Sequence, residues 1–176
     1  MRLPALAIAA AILCVPQVAA AAPPCLTPTE FTALSSYALP SVISGATQRC
    51  APALPADAWL TRNGASLAGR YASGRTAAWP QARAAFLKLS SGTTSGDAAN
   101  LFKTMPDNSL KQMLDGLIVG MVGEKIPTQR CATIDNLVRL LAPLPPENTA
   151  ELIAVTVGLG AMRGGGRLGM LKVCPA

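Results

Sequence analysis

Apolar residues recur at every third or fourth position through the second half of the chain, which places them on one face of a helix. The clearest stripe consists of Leu110, Met113, Leu114, Leu117, Ile118, Met121 and Val122. Two similar patterns follow it, so we expect core helices near 109–122, 130–142 and 149–162. The third should be the most buried helix, because it is apolar nearly all round.

The first half of the chain is marked instead by helix start and stop signals. Thr27 and Glu30 have the spacing of a capping box, in which each side chain bonds to the backbone N–H of the other, and Pro28 suits the first turn. A helix should therefore begin here. Because proline lacks a backbone N–H and clashes with the preceding turn, Pro40 is expected to end or kink this helix after Leu39.

Shorter helices joined by turns should follow in the middle of the chain. Pro55 and Pro80 are expected to open two of them, and Gly64 to interrupt the first. The segment 90–96 is rich in Ser, Thr and Gly, which favours a flexible connection. A second capping-box pattern at 148–151 should open the third core helix.

Composition favours an all-α fold. The chain has 176 residues, of which 51% are hydrophobic and 14% charged, as in one globular domain. Only 4% are aromatic, so the core must consist of Ala, Leu, Val, Ile and Met, whose small volumes suit closely packed helices. We expect a single all-α domain over 22–176, a small bundle of roughly five to seven short helices stapled by two disulfides.

The segment 1–21 resembles a secretory signal peptide in its three parts. It has a positively charged start, an apolar stretch over 5–15 and small residues over 18–22, as signal peptidase requires. The apolar stretch falls short of the roughly 20 residues that span a bilayer, which disfavours the alternative of a membrane anchor. We expect cleavage after Ala20 or Ala21, a periplasmic or secreted protein and no transmembrane span after cleavage.

Cleavage would remove Cys14 and leave four cysteines, Cys25, Cys50, Cys131 and Cys174. In an oxidising compartment these predict two disulfides, for which four cysteines allow three pairings. We expect Cys25 with Cys50 and Cys131 with Cys174, because nearer partners meet more easily in the unfolded chain. A zinc site is the alternative, but there is no C-x-x-C pair and no histidine, so we expect no metal.

Positive charge is concentrated in one part of the chain. The formal net charge is +6, and between positions 49 and 88 the only acid is Asp57. The basic residues there are Arg49, Arg62, Arg70, Arg75, Arg83 and Lys88. This bias favours an anionic envelope component or an acidic protein surface as the partner, and not nucleic acid. The expected contact residues are Arg62, Arg70, Arg75 and Arg83; a solvated basic face is the alternative.

Catalytic groups are scarce. The chain has no histidine, which removes the commonest general base and every Ser-His or Cys-His nucleophile. Nine Asp and Glu residues are enough to supply a carboxylate pair for cleaving a glycosidic bond. However, Glu30 and Glu151 have capping roles available, and Asp97 and Asp107 lie near helix starts. We therefore assign no catalytic residue and no cofactor.

Two glycine motifs have structural explanations. Gly116 and Gly120 form a G-x-x-x-G within a helix, which we expect to allow close packing inside the domain rather than membrane dimerisation. The segment 164–169 matches G-x-G-x-x-G but lacks the flanking strand and helix of a dinucleotide site. A helix end followed by a turn is the simpler interpretation, with anion binding by Arg163 and Arg167 as the alternative.

The sequence Thr-Gln-Arg-Cys-Ala occurs at 47–51 and again at 128–132. A duplicated helical unit would explain the repetition. Coincidence in a chain rich in Ala and Pro is the alternative, because the copies do not align without a gap. If the duplication is real, Cys50 and Cys131 occupy equivalent places in equivalent units, which is a structural role.

Together these features favour an exported, non-catalytic binding or accessory protein of the bacterial envelope, such as an inhibitor, an immunity-type protein or an assembly partner. The alternative is a carboxylate-dependent hydrolase of cell-wall glycan. The sequence does not identify the ligand or the partner.

Overall fold

The computed structural model describes residues 25–160, 167–168 and 171–174. In this part of the chain the α-helices are α1 Pro28–Cys50, α2 Trp59–Ala72, α3 Arg75–Thr93, α4 Gly96–Thr104, α5 Asp107–Lys125, α6 Cys131–Leu141 and α7 Pro146–Gly160. Short 3-10 turns lie at Ala51–Ala53 and Thr128–Arg130, and two short antiparallel strands are β1 Arg167–Leu168 and β2 Leu171–Lys172. The predicted all-α bundle with two disulfides is confirmed.

Helix α1 forms the centre of the bundle and packs against α2, α3, α5 and α7. Helix α3 runs antiparallel to α1, since Glu30 meets Lys88 at one end and Tyr37 meets Trp79 nearer the middle. With neighbours on several sides, α1 buries residues along most of its length, polar as well as apolar. Its sequence therefore has no single apolar face that could identify it as the central helix.

One side of α1 packs through apolar side chains alone. Its residues Leu39 and Ile43 pack against side chains from α2, α7 and the end of α6, which are Leu67, Ala68, Tyr71, Ala142 and Ala150. Full burial of a side chain such as Leu67 contributes about 1.5–3 kcal/mol relative to leaving it in water. We call the face of α1 that contacts this cluster the apolar side of α1. The cluster joins elements that are far apart in the sequence.

The start of α1 follows the predicted capping box. Thr27 Oγ accepts a hydrogen bond of 3.2 Å from the Glu30 N–H, and Glu30 Oε2 accepts one of 2.8 Å from the Thr27 N–H. Glu30 also forms a salt bridge with Lys88 on α3, with Nζ and Oε2 separated by 2.8 Å. Lys88 and the Thr27 N–H lower the pKa of Glu30 below its ordinary value, because both favour the carboxylate.

Three residues that were expected to break or open helices instead lie inside them: Pro40 in α1, Gly64 in α2 and Pro80 in α3. An interior proline costs about 3 kcal/mol, and at Pro40 the burial of α1 on both sides of it offsets this cost. Gly64 has a packing role, because a Cβ there would overlap the side chain of Thr47 on α1. The expected flexible segment 90–96 is also largely helical, since α3 continues into it and α4 begins at its end.

Helix α7 differs from its prediction at its start and in its burial. It begins at Pro146, ahead of the capping-box pattern expected at 148–151. It is not the most buried helix of the described part, because Leu152 and Val155 remain about half exposed (47% and 53%). An all-round apolar pattern shows that a helix has faces suitable for burial, but not how many neighbours will cover them.

The two expected disulfides form, but the expected pairing was wrong. Cys50 bonds to Cys131, and Cys25 bonds to Cys174. The fold decides the pairing, because α6 begins beside the end of α1 and the N–H of Cys174 donates to the carbonyl of Leu26 at 2.8 Å. Closeness along the unfolded chain was the wrong criterion. All four cysteines of the described part are paired in these two disulfides.

The two Thr-Gln-Arg-Cys-Ala segments meet at the Cys50–Cys131 disulfide. The segment 47–51 ends α1, whereas 128–132 forms a 3-10 turn and then begins α6. The same five residues therefore adopt different local structures. Both cysteines are buried and have the structural role that was expected.

The predicted signal peptide at 1–21 lies outside the described residues, as does most of the glycine motif at 164–169 together with Arg163. Of Arg167 only the backbone, in β1, is described. Among the helices of the described part, none has the length and apolar character needed to cross a membrane.

Candidate functional site

The side of α1 that faces α3 and α5 contains half-buried charges. Asp115 on α5 forms a salt bridge with Arg75 on α3 and accepts a hydrogen bond of 2.7 Å from Ser41 on α1. The Arg75 guanidinium lies 4.1 Å from the centre of the Tyr37 ring, which is a cation–π contact. Burial raises the pKa of Tyr37 to about 12, since it disfavours the phenolate. One carboxylate thus connects three helices. We call the face of α1 that packs against α3 and α5 the charged side of α1.

A second group of contacts joins α3 to the start of α5. Asp107 accepts a hydrogen bond of 2.8 Å from Trp79 Nε1 and lies 3.1 Å from Arg83 Nε. Lys111 Nζ lies 4.9 Å from the centre of the Trp79 ring. A carboxylate in the first turn of a helix is also favoured by the helix dipole. These contacts hold α3 and α5 in one relative position.

The acids considered as a catalytic pair have structural partners. Asp107 and Asp115 each form a salt bridge with an arginine, and Glu30 belongs to the capping box. Asp135 on α6 accepts a hydrogen bond from the Leu60 N–H and so caps the start of α2. Cleavage of a glycosidic bond needs two carboxyl groups on either side of one substrate. Of these four acids, Asp107 and Asp115 lie where α5 contacts α3, whereas Glu30 and Asp135 lie at the starts of α1 and α2.

The four arginines predicted to contact an anionic partner lie in two settings. Arg62 and Arg70 are exposed on α2, which contains no acidic residue. Arg75 and Arg83 are half-buried on α3 and form salt bridges with acids of α5. A terminal nitrogen of Arg70 donates to the carbonyl of Ala142 at 3.3 Å, which fixes this guanidinium at the surface. Of the four, Arg62 and Arg70 are the two that present their charge to solvent.

A groove runs between α1 and α5, which lie parallel to each other. The Arg49 Nε donates to the carbonyl of Ile126 at 3.0 Å where both helices end, and the Ser41–Asp115 contact lies nearer their starts. The two helices approach most closely at Gly45, where a Cβ would lie 3.0 Å from the carbonyl oxygen of Val119 and 3.0 Å from the Cβ of Val122. Glycine suits this crossing because a Cβ would be tightly packed against the backbone of α5.

The groove has a volume of about 630 Å³ and is open to solvent. Its lining residues are Gly45, Gln48 and Arg49 from α1 and Val119, Gly120, Gly123 and Glu124 from α5. Small residues therefore leave much of the backbone accessible, and one cation and one anion lie among them. We call this the α1–α5 groove.

The expected internal packing role of Gly116 and Gly120 was wrong. A Cβ at either position would meet nothing within 4 Å, so neither glycine is needed for a close approach of another described element, although Gly120 lines the α1–α5 groove. Next to them, Leu117 and Met121 are half exposed, at 50% and 51%. Helical spacing correctly placed these residues together, but it did not show that this part of α5 faces outward.

Sequence reasoning missed the α1–α5 groove. The signal that could have found it is Gly45, the single glycine of α1, because a lone glycine inside a helix often marks a close approach of two backbones. The position of its partner Val119 has no comparable signal, because only the packing of α5 on α1 brings the two residues together.

Comparisons with known proteins add no relative: no family model, no curated protein and no solved structure matches the chain. The fold and the surface define a disulfide-stapled, all-α domain. Its exposed features include two arginines on α2 and a glycine-lined groove between α1 and α5.

Proposed function

We propose that this chain is an exported, non-catalytic binding or accessory protein of the bacterial envelope, and that it recognises an acidic surface of a partner protein through Arg62 and Arg70. The observation that carries the proposal is the exposure of both arginines on α2, a helix without acidic residues. Nothing on that helix neutralises their charge, so an anionic partner would gain from meeting both.

The surface between the two arginines supports direct contact. Arg62 and Arg70 are separated by about 12 Å along the helix axis. Ser66 and Gly69, which lie between them on the same face, are exposed and small. A partner can therefore approach α2 without steric hindrance and place carboxylates against both guanidinium groups. Such charge-assisted, planar hydrogen bonds are the contacts for which arginine is best suited.

Export is supported by two independent features. The pattern over 1–21 is that of a secretory signal. The two disulfides are typical of proteins that fold in an oxidising compartment, such as the periplasm or the medium. We therefore place the protein outside the cytoplasm, as a periplasmic or secreted protein.

The alternative function, a carboxylate-dependent hydrolase of cell-wall glycan, has no comparable support. Asp107 and Asp115 are engaged with arginines and Asp135 caps α2. A general acid or nucleophile must be available to the substrate. The binding function is therefore the one that the geometry favours.

The test is crosslinking in intact cells, followed by recovery of the protein from the envelope fraction and peptide mass spectrometry. The variant Arg62→Glu/Arg70→Glu reverses both charges on α2. The matched control, Lys103→Glu/Arg130→Glu, makes the same change in net charge at exposed positions on other elements. We expect the α2 variant to lower recovery of the crosslinked partner by about tenfold or more, which is about 1.4 kcal/mol of binding free energy. The control should recover it normally.

Equal recovery with both variants would contradict the α2 contact. Loss with both would show general attraction between opposite charges rather than recognition by α2. If the α2 variant leaves the envelope fraction but no protein is crosslinked to the parent chain, the ligand is an anionic polymer or lipid head group. Intact mass in the same experiment reports whether the mature chain begins at Ala21 or Ala22, and circular dichroism confirms that each variant is folded.

A further inference from the structure

The two disulfides differ in their surroundings. Cys50 and Cys131 are 0% and 1% exposed, and they lie in an apolar cluster with Leu60. Cys25 and Cys174 are both partly exposed. In thiol–disulfide exchange a thiolate must reach one of the two sulfur atoms, so the rate depends on access. A reductant that meets the folded protein therefore has access to the Cys25–Cys174 disulfide first.

The accessible disulfide holds the end of the described chain against the start of α1. We call residues 171–174 the C-terminal strap. Within it, Val173 forms a parallel β-bridge with Leu26, and the Cys174 N–H donates to the Leu26 carbonyl at 2.8 Å. The bond from Cys25 to Cys174 lies beside this pairing and joins positions that are 149 apart in the sequence. It thus ties the two ends of the described chain together.

The C-terminal strap also completes a part of the core. Val173 is 5% exposed and packs in a buried cluster with Leu26, which is 0% exposed. Phe31 of α1 and Ala85 of α3 belong to the same cluster. If Val173 leaves, these side chains gain contact with water. The position of the strap therefore decides whether this end of the bundle is closed.

We propose that the Cys25–Cys174 disulfide is a redox-sensitive latch: a dithiol reduces it before Cys50–Cys131, and its reduction releases the C-terminal strap from the start of α1. One thiolate of the dithiol attacks a sulfur of the latch and forms a mixed disulfide, which the second thiol then displaces. The products are two cysteine thiols and the oxidised, disulfide form of the dithiol. Two electrons and two protons thus pass to the protein.

Release follows from the way the strap is attached. Without the disulfide, one backbone hydrogen bond and one buried valine are modest attachments, and a chain end that is not tied down frays. The rest of the bundle has its own support. Among the described residues, the clusters on the apolar and charged sides of α1 contain no strap residue, nor does the cluster around Cys50 and Cys131. Opening is therefore confined to one end of the bundle.

The first test is the order of reduction. The folded, disulfide-bonded protein is treated with dithiothreitol, samples are alkylated at intervals, and peptide mass spectrometry follows each cysteine. We expect Cys25 and Cys174 to be alkylated at least about tenfold faster than Cys50 and Cys131. Equal rates for all four cysteines, or earlier reduction of the buried pair, would overturn the proposal, because reduction would then require opening of the whole bundle.

The second test asks whether reduction releases the strap. Hydrogen exchange is measured on the oxidised protein and on protein in which only the latch is reduced and alkylated. Amides at 26 and 171–174 should lose protection by about tenfold or more, whereas α2 and α5 keep theirs. A strap that stays protected refutes the latch. Loss of protection throughout the bundle refutes it equally, since the opening would not be local.

A matched pair of variants repeats this test without a reductant. Cys25→Ser/Cys174→Ser should have the exchange pattern of the reduced latch, and Cys50→Ser/Cys131→Ser should keep the strap protected. The time course on the parent chain decides the outcome if a variant does not fold.

The latch and the proposed α2 contact fail separately. Arg62→Glu/Arg70→Glu changes neither disulfide and should keep the same order of reduction, whatever its effect on recovery of a partner.

Discussion

The two sides of α1 are built by different means. On the apolar side, Leu39 and Ile43 meet α2 and α7 through side chains that have no preferred direction of contact. On the charged side, Asp115 must meet both Arg75 and Ser41, which fixes the relative position of three helices. Apolar burial provides stability in proportion to area, whereas half-buried ion pairs often contribute little net stability and instead favour one arrangement over others. Apolar burial stabilises both sides, since Tyr37 of α1 also belongs to a buried cluster formed with α3 and α5. We infer that the ion pairs on the charged side add mainly to the orientation of the helices.

The largest expected effect is on the apolar side. Leu67→Ala should lower the free energy of unfolding by about 3 kcal/mol, because Leu67 is 2% exposed and its removal leaves a cavity. Urea denaturation followed by circular dichroism measures this loss. The control Leu140→Ala, at a position that is 60% exposed, should change the free energy by less than about 0.5 kcal/mol. Similar losses in the two variants would mean that this cluster does not stabilise the bundle as described.

A smaller effect is expected on the charged side. Asp115→Ala leaves the half-buried Arg75 without its partner and should cost about 2 kcal/mol. In Arg75→Met/Asp115→Leu both charges are replaced by apolar groups, and most of this loss should be recovered. Asp57→Ala, at an exposed position, is the control. If the double variant is as unstable as the single one, the ion pair itself stabilises the fold, and the distinction between the two sides of α1 fails.

The smallest expected effect is on the pH dependence of stability, through Glu30 at the start of α1. The pKa of Glu30 is lowered from its ordinary value of 4.5, so the unfolded chain takes up this proton first as the pH falls. The stability that Glu30 contributes is therefore fully present above about pH 4.5 and is lost as the pH falls through its folded pKa. Glu30→Gln keeps a capping side chain but removes the charge.

We expect Glu30→Gln to cost less than about 1 kcal/mol at neutral pH and to flatten the fall of stability below about pH 4.5. Melting temperatures of both proteins across this range measure the difference. Glu151→Gln, at an exposed position of α7, should retain the parent profile. Parallel profiles for Glu30→Gln and the parent chain would show that the contact with Lys88 has no part in the acid response.

Features set by neighbouring residues were predictable. The spacing of apolar residues in α5 and α6 identified both helices, and the pair Thr27 and Glu30 identified the start of α1 with its hydrogen bonds. Pro40 shows where such reasoning stops. The cost of proline inside a helix is a local quantity, but the burial that offsets it comes from α2, α3, α5 and α7, which are distant in sequence.

The candidate contact residues show the same limit. A run of basic residues predicted one cationic surface, yet Arg75 and Arg83 turn inward to Asp115 and Asp107, and Arg62 and Arg70 stay outside. Whether an arginine is available to a partner depends on which acid the fold brings to it. No pattern within α3 contains that information, because both acids belong to α5.

The sequence by itself determined the class of the fold, the location of most helices and the presence of two disulfides, because these depend on residue type and on neighbours within about one helical turn. The tertiary structure alone decided that Cys50 bonds to Cys131 across 81 positions, that Gly45 rather than Gly116 is the packing glycine, and that Leu117 and Met121 of α5 stay half exposed. The physical reason is that a helix encodes which residues share a face, whereas the partner of that face is chosen by how all the helices pack together.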